Sequence, residues 1–232
     1  MKKQLTKLVF GNPGLNEPDI AQIVPHFQKI NDVWHNSNYQ DFGIERIFRL
    51  FLVTSQIFFP GIYIEYLNRT ASFHNRKITG EVYVIFKTVM PFAMLYFSLW
   101  DHGWLYVINI YLLIETYVYI FHKIFLPEHN KGKTHNRSLI LLFFNFTEVI
   151  ASFGVIYAAG NYLNLPISNW IDALYFSLIT GATIGYGDIY PVTSTGKLLV
   201  LLQIVSTLSF LILFFNFFAP RALDTKDNTS DS

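Results

Sequence analysis

The densest chemistry in the chain sits in one six-residue run, Thr183-Ile184-Gly185-Tyr186-Gly187-Asp188. Gly185 and Gly187 lack Cβ and can take left-handed backbone angles that other residues avoid. In a short strand whose alternate residues do so, all the carbonyls can point one way. A row of carbonyl oxygens can replace the water around a dehydrating cation. The bland alternative is a glycine turn between helices, which has no need of Thr183, Tyr186 and Asp188 together. Glu115 and Glu148 form a second group. Both fall near the middle of long apolar stretches, where an ionisable side chain is expensive and points to function. They are candidates for an intramembrane regulatory or proton-sensing role, with Asn145 one turn below Glu148 on the same helix face; a protonated, merely packed carboxyl is the alternative. Lys87 stands alone and reads as a side chain snorkelling to the interface. The histidines are scattered, with no acid at metal-ligand spacing, and there is no Cys to supply a thiolate, disulfide or metal ligand.

Composition says what must hold these groups. Of 232 residues, 52% are hydrophobic, 18% aromatic and only 14% charged. Soluble chains carry about 25% charged residues, so an integral membrane protein is the expected class. Disorder is excluded for most of the chain. The net charge of +1 gives no electrostatic case for nucleic acid. No membrane-embedded Ser/His arrangement, Asp dyad or His pair stands out, so no enzyme activity is expected. Met1 to Gly11 lacks the apolar core of a signal peptide, and cleavage there is not expected.

A membrane helix needs ~20 mainly apolar residues. Residues 82–99, 104–125, 138–158 and 195–218 meet that requirement. Residues 47–66 come close, but carry Arg49, Gln56 and Glu65 with Pro60-Gly61 in the middle. Arg46, Arg49 and a polar stripe through Glu45 and Gln56 favour an interfacial position, whereas length and hydrophobicity favour a fifth span, which is the reading adopted. Upstream, Asp19 to Trp34 has the spacing of an amphipathic helix. Residues 159–194 differ from all of these. A polar segment with Pro166 leads into a predicted helix over 169–182, with Asn169 as N-cap and Asp172 in its first turn. The glycine run and Pro191 follow. A short helix and an irregular strand between two spans make a re-entrant loop, which survives at membrane depth only if protein buries it or it lines a water-filled path.

In this setting Thr183-Ile184-Gly185-Tyr186-Gly187-Asp188 resembles the selectivity filter of the potassium channel family, and the resemblance extends over residues 138–218. It implies an all-α membrane protein: a two-helix pore module with a re-entrant pore helix and filter, preceded by two or three extra transmembrane helices. It implies that the carbonyls of Thr183, Ile184, Gly185 and Tyr186, with the Thr183 hydroxyl, line stacked K⁺ sites in a strand completed by Gly187. Tyr186 would pack behind the filter and Asp188 would sit at the outer mouth. One re-entrant unit per chain supplies a quarter of a ring, so a homotetramer in a lipid bilayer is implied. K⁺ is then the permeant ion, conducted passively, with no cofactor.

The chain also departs from the family pattern. Tyr175 and Phe176 stand where a Trp pair often forms a cuff behind the filter. Tyr175 can reach Asp188, whereas Phe176 has no donor. Ile179 replaces an acid found in some bacterial members, and Thr180 joins Asp188, Tyr175 and Phe176 as a candidate filter-support residue. Thr207 occupies the place of a frequent inner-helix Gly. Ile204, Leu208 and Leu211 align with cavity-lining positions, although core packing explains their spacing equally well, and with Thr207 they are the candidate cavity residues.

The expected organisation is an N-terminal arm (1–43), an N-terminal transmembrane region (44–126), a cytoplasmic linker (127–137), the pore domain (138–220) and a short polar tail (221–232). With the filter outside, residues 126–137 and 67–81 lie inside and hold Lys131, Lys133, Arg137, Arg69, Arg76 and Lys77. The outer turn 100–103 holds no Lys or Arg, in accord with the positive-inside rule. A multi-pass protein of the cell membrane follows. No stretch repeats Arg or Lys as a voltage sensor does, and the tail is too short for a nucleotide- or Ca²⁺-binding domain. Two rival readings remain: an ion-translocating subunit of a larger transporter, and a non-conducting sensor or adaptor that retains the pore fold.

Overall fold

A computed structural model of the chain describes residues 26–35, 43–67, 73–125 and 135–230. Helices dominate. They are α1 (His26–His35), α2 (Ile44–Ser55), α3 (Pro60–Leu67), α4 (Phe73–Tyr96), α5 (Gly103–Phe125), α6 (His135–Ala159), α7 (Trp170–Gly181) and α8 (Ser194–Ser230). No β-sheet forms among the described residues, and the short glycine-bearing strand of residues 183–187 is extended without a β partner; an isolated antiparallel bridge joins Leu163 to Pro191. Four described helices contain segments long and apolar enough to cross a membrane: Ile78–Tyr96, Gly103–Phe125, Leu139–Ala159 and Ser194–Phe215. The fold is that of an all-α membrane protein. Residues 19–25 of the expected amphipathic helix, and loop residues 68–72 and 126–134, lie outside the described residues.

Two expectations change. Residues 47–66 do not form one span. Helix α2 has 12 residues and α3 has 8, with a short 3-10 turn, Gln56–Phe58, between them. Pro60 disfavours helical angles in the residue before it, and Phe59 is extended at φ −114° and ψ 145°. Neither piece approaches the ~20 residues needed to cross. The second change is at the other end, where α8 runs through Ser230 and absorbs most of the expected tail.

The chain divides into two compact units, residues 1–83 with 129–133, and residues 84–128 with 134–232. In the first, Leu52 and Val53 of α2 are buried and Arg49 pairs with Glu45 at 2.7 Å along the helix. In the second, α6 is the central element and packs on α5, α7 and α8. One apolar cluster joins Leu113 and Ile120 of α5, Val149, Phe153 and Tyr157 of α6, Phe176 of α7, and Phe210 and Leu213 of α8. Another joins Met94 and Leu95 of α4 to Ala151 and Val155 of α6 and Ala173 of α7. Small residues let α7 press close. A Cβ on Gly181 would stand 2.5 Å from Ile150 Cδ1.

Candidate functional site

Helix α7 aims its C-terminus at the glycine-bearing strand. Its start is capped by Asn169, whose Oδ1 accepts from the Asp172 N–H at 3.0 Å, as the sequence predicts. Its end leaves orphan carbonyls, and the strand satisfies them. The Thr183 N–H donates to Thr180 O at 3.0 Å, and the Ile184 N–H donates to Ile179 O at 2.9 Å. The Gly185 N–H reaches the same Ile179 oxygen at 3.4 Å. The negative end of the helix dipole therefore faces the base of the strand, a place suited to a cation.

Those bonds fix an alternating backbone. Thr183, Gly185 and Gly187 have φ of 57°, 57° and 81°, whereas Ile184 and Tyr186 keep negative φ. Left-handed angles at every second residue turn successive carbonyls to one side. Glycine adopts them without strain, but a β-branched residue does not. At Thr183 the angle carries a penalty of about 1–3 kcal/mol, the usual size for strained backbone at functional sites. The sequence reading located the two glycines and missed the third left-handed residue. Their spacing of two was the signal that extends the pattern back to Thr183.

The far end of the strand is tied down by polar groups. The Tyr175 hydroxyl donates to Asp188 Oδ2 at 2.8 Å. This bond holds the Asp188 carboxyl below the usual aspartate range, and the same bond raises the Tyr175 phenol above its ordinary value. Asn164 clamps the descending segment. Its Oδ1 accepts from the Tyr190 N–H at 2.8 Å, and its side-chain amide donates to Asp188 O at 3.1 Å. Asn164 escaped the sequence reading because it is one polar residue in a polar loop.

Behind the strand the contacts are buried. Phe176 meets the Tyr157 ring edge-on, with centroids 4.7 Å apart. The Ser177 hydroxyl donates to Ile150 O at 2.6 Å. Gln203 of α8 donates to Ser177 O at 2.7 Å and accepts from the Tyr157 hydroxyl at 2.8 Å. Gln203 is wholly buried and pins α8, α7 and α6 together. It too was missed, although a lone amide in the apolar run from Leu198 to Leu213 was a visible signal. Thr207 is buried, donates to Gln203 O at 3.1 Å and lies beside Gly181. Ile204 and Thr180 are half-buried, and Ile179 is buried. Leu208, Leu211, Ile184 and Tyr186 are exposed on the single chain, Tyr186 by 69%.

The intramembrane charges correct the reading of Lys87. It does not snorkel. Helix α4 begins at Phe73, earlier than the apolar run suggests, so Lys87 lies midway along the Ile78–Tyr96 span. It is 4% exposed, with Nζ 3.4 Å from Glu115 Oε2 and 3.6 Å from Glu148 Oε1. Thr116 links the group, accepting from Lys87 and lying 3.0 Å from both Glu148 oxygens. Asn145 stays outside it, donating to Leu141 O of its own helix.

Comparison with known proteins assigns this architecture. The sequence profile of a family described as "Ion channel" matches residues 140–223. The potassium channel protein kcv of Paramecium bursaria Chlorella virus 1 is 36% identical over 74 residues, covering 28% of this chain and 78% of that protein. The two-pore potassium channel 4 of Arabidopsis thaliana is 34% identical over 90 residues, 39% of this chain and 30% of that protein. The hyperpolarization-activated voltage-gated potassium channel of Methanocaldococcus jannaschii is 35% identical over 77 residues, 33% of this chain and 37% of that protein. The chain thus spans about a third of the length of the last two relatives. No solved structure matches it. The match covers the outer helix, re-entrant helix, strand and inner helix, and over most of the viral protein's length it is close enough to settle kinship: the chain belongs to the potassium channel family.

Proposed function

We propose that the protein conducts K⁺ passively across the cell membrane through a pore built by four copies of the chain. The observation that carries this reading is the left-handed φ at Thr183, Gly185 and Gly187. Such a backbone offers a row of carbonyls, from Thr183 to Tyr186, to an ion that has shed its water. One chain supplies one wall of oxygens, and closed rotational symmetry supplies the rest. The exposure of Ile184, Tyr186, Leu208 and Leu211 on the single chain supports that assembly. Ile204, Leu208 and Leu211 then line the cavity below the filter. Thr207, turned toward Gly181, braces the pore helix. The C-terminal end of α7 favours a cation in that cavity before it enters the filter.

Tyr175 and Asp188 hold the outer end of the filter, and Phe176 packs behind it. With four spans, the segments before the first and after the last lie on the same side, which the positive-inside rule makes the cytoplasm. K⁺ is cargo; no catalysis and no resident cofactor enter this account.

Ion flux from liposomes holding only the purified chain tests the reading. Efflux of K⁺ far faster than that of Na⁺ is the expected result. Flux that needs an added partner would favour a transporter subunit, and absent flux in any condition would favour a non-conducting adaptor; either overturns the reading.

A further inference from the structure

Helix α2 carries apolar side chains on two sides, and only one of them is covered. Helix α1 packs on α2, and Val33 of α1 is buried, as are Leu52 and Val53 of α2. Ile44, Ile47 and Phe51 recur at intervals of three and four residues, which places them on one face of the helix. At ~3.6 residues per turn that face is centred across the helix from Leu52 and Val53. Its three side chains are exposed by 86%, 70% and 60%. Phe58, in the 3-10 turn that follows, is exposed by 76%. A helix that is apolar on both sides needs an apolar partner on both.

The polar groups of this region are bonded within the chain. Thr54, three residues after Phe51, donates its hydroxyl to Leu50 O at 2.7 Å. The Tyr63 hydroxyl of α3 donates back to Ile57 O at 2.8 Å. Arg46 donates to Trp34 O at 2.5 Å, and Arg49 pairs with Glu45 at 2.7 Å. Groups already bonded inside the chain lose little when water leaves the surface beside them. The sequence around α2 says what displaces that water. The first membrane-spanning segment starts at Ile78, and α3 ends at Leu67. The residues between can stretch no further than about 40 Å, so the exposed face is tethered to a bilayer at high effective concentration. Between residues 66 and 80 the chain holds Arg69, Arg76 and Lys77 and no Asp or Glu. That charge complements the anionic headgroups of a cytoplasmic leaflet.

We propose that α2 and the turn after it form a lipid-docking surface, which lies in the membrane plane and sinks Ile44, Ile47, Phe51 and Phe58 into the boundary between headgroups and acyl chains. The occupant of the exposed face is lipid, and the leaflet is the cytoplasmic one by the four-span topology. With 12 residues α2 is ~18 Å long, too short to cross a ~30 Å core and long enough to rest on it. Trp34, exposed by 61% at the end of α1 and held to α2 through the Arg46 bond, is a residue type that favours the headgroup level. The docking also accounts for the composition of residues 47–66, which have the apolar character of a span without its continuous helix.

The chain contains no Cys, so a nitroxide attached to a single introduced Cys reports one position without background. Ile47→Cys and Phe51→Cys probe the exposed face, and Glu45→Cys probes another side of the same helix. The full chain is placed in vesicles of phosphatidylcholine and phosphatidylglycerol. Electron paramagnetic resonance then compares collisions of each label with molecular oxygen, which concentrates in lipid, and with a neutral nickel chelate, which stays in water. The proposal expects the ratio of oxygen to chelate collisions to be several-fold higher at Ile47 and Phe51 than at Glu45. Labels at Ile47 and Phe51 that meet the chelate freely would show a water-facing surface. Labels shielded from both probes would show a protein cover, from a second copy or another segment of the chain. Either result overturns the proposal, and two positions on one face keep it testable if one substitution disturbs α2. The measurement needs no ion flux, so it stands or falls apart from K⁺ conduction.

Discussion

Replacing Gln203 with Leu removes the pin between the pore helix and the inner helix, and its effect can be worked from the geometry. Gln203 donates to Ser177 O at 2.7 Å and to Ser177 Oγ at 2.9 Å, and accepts from Tyr157 at 2.8 Å. Interhelical hydrogen bonds in membrane bundles average about 0.6 kcal/mol, with a maximum near 1.7. Two interhelical partners therefore account for about 1–3 kcal/mol. Ser177 keeps its bond to Ile150 O. The Tyr157 hydroxyl is left buried without an acceptor, which costs about 1–3 kcal/mol more. The Leu side chain regains part of this by packing, so a net loss of about 2–4 kcal/mol is expected.

Tyr157→Phe alone orphans only the Gln203 oxygen and costs about 1–2 kcal/mol. The double substitution leaves neither group stranded and should be less harmful than the two losses added, by about 1 kcal/mol. Reversible unfolding of the reconstituted chain in mixed micelles measures all three variants. Additivity within about 0.3–0.5 kcal/mol would mean that Gln203 and Tyr157 are uncoupled, and would refute the reasoning.

Other outcomes follow from the same structure. Gly185→Ala forces a Cβ onto φ +57° and costs about 1 kcal/mol in each copy; potassium flux per reconstituted protein should fall sharply, and an unchanged flux would show that the left-handed angle is not needed. Tyr175→Phe removes the bond that keeps the Asp188 carboxyl low, so the aspartate should titrate nearer its ordinary value. Because the folded carboxyl is depressed, the bond's stabilisation is present above the ordinary aspartate range and is lost as pH falls through the lowered value. The acid limit of K⁺ flux should therefore move to higher pH in Tyr175→Phe, and an unmoved limit would count against that role.

The alternating backbone was legible because Gly185 and Gly187 announce angles that few other residues tolerate, and the spans were legible because apolar length alone marks them. What lay hidden depended on three-dimensional pairing. Thr183 takes its left-handed angle from the carbonyls of Thr180 and Ile179, and nothing in its residue type suggests it. Lys87 read as a lone snorkelling charge because its partners come from two other helices, and because the helix starts before its apolar run. In residues 47–66 average hydrophobicity pointed to a span, but the local geometry at Phe59-Pro60 breaks the helix. A residue-by-residue reading of the proline outweighs a window average there.

The account rests on oxygens lining an axis, and thallium, a heavy monovalent ion of K⁺ size, makes such a site visible. Anomalous scattering from crystals of the purified chain grown with Tl⁺ tests it most directly. The expected map shows a column of Tl⁺ on a four-fold axis between Thr183 and Gly187, with Tyr186 turned away. A tetramer with no axial ion, or with the Tyr186 rings on the axis, would contradict it.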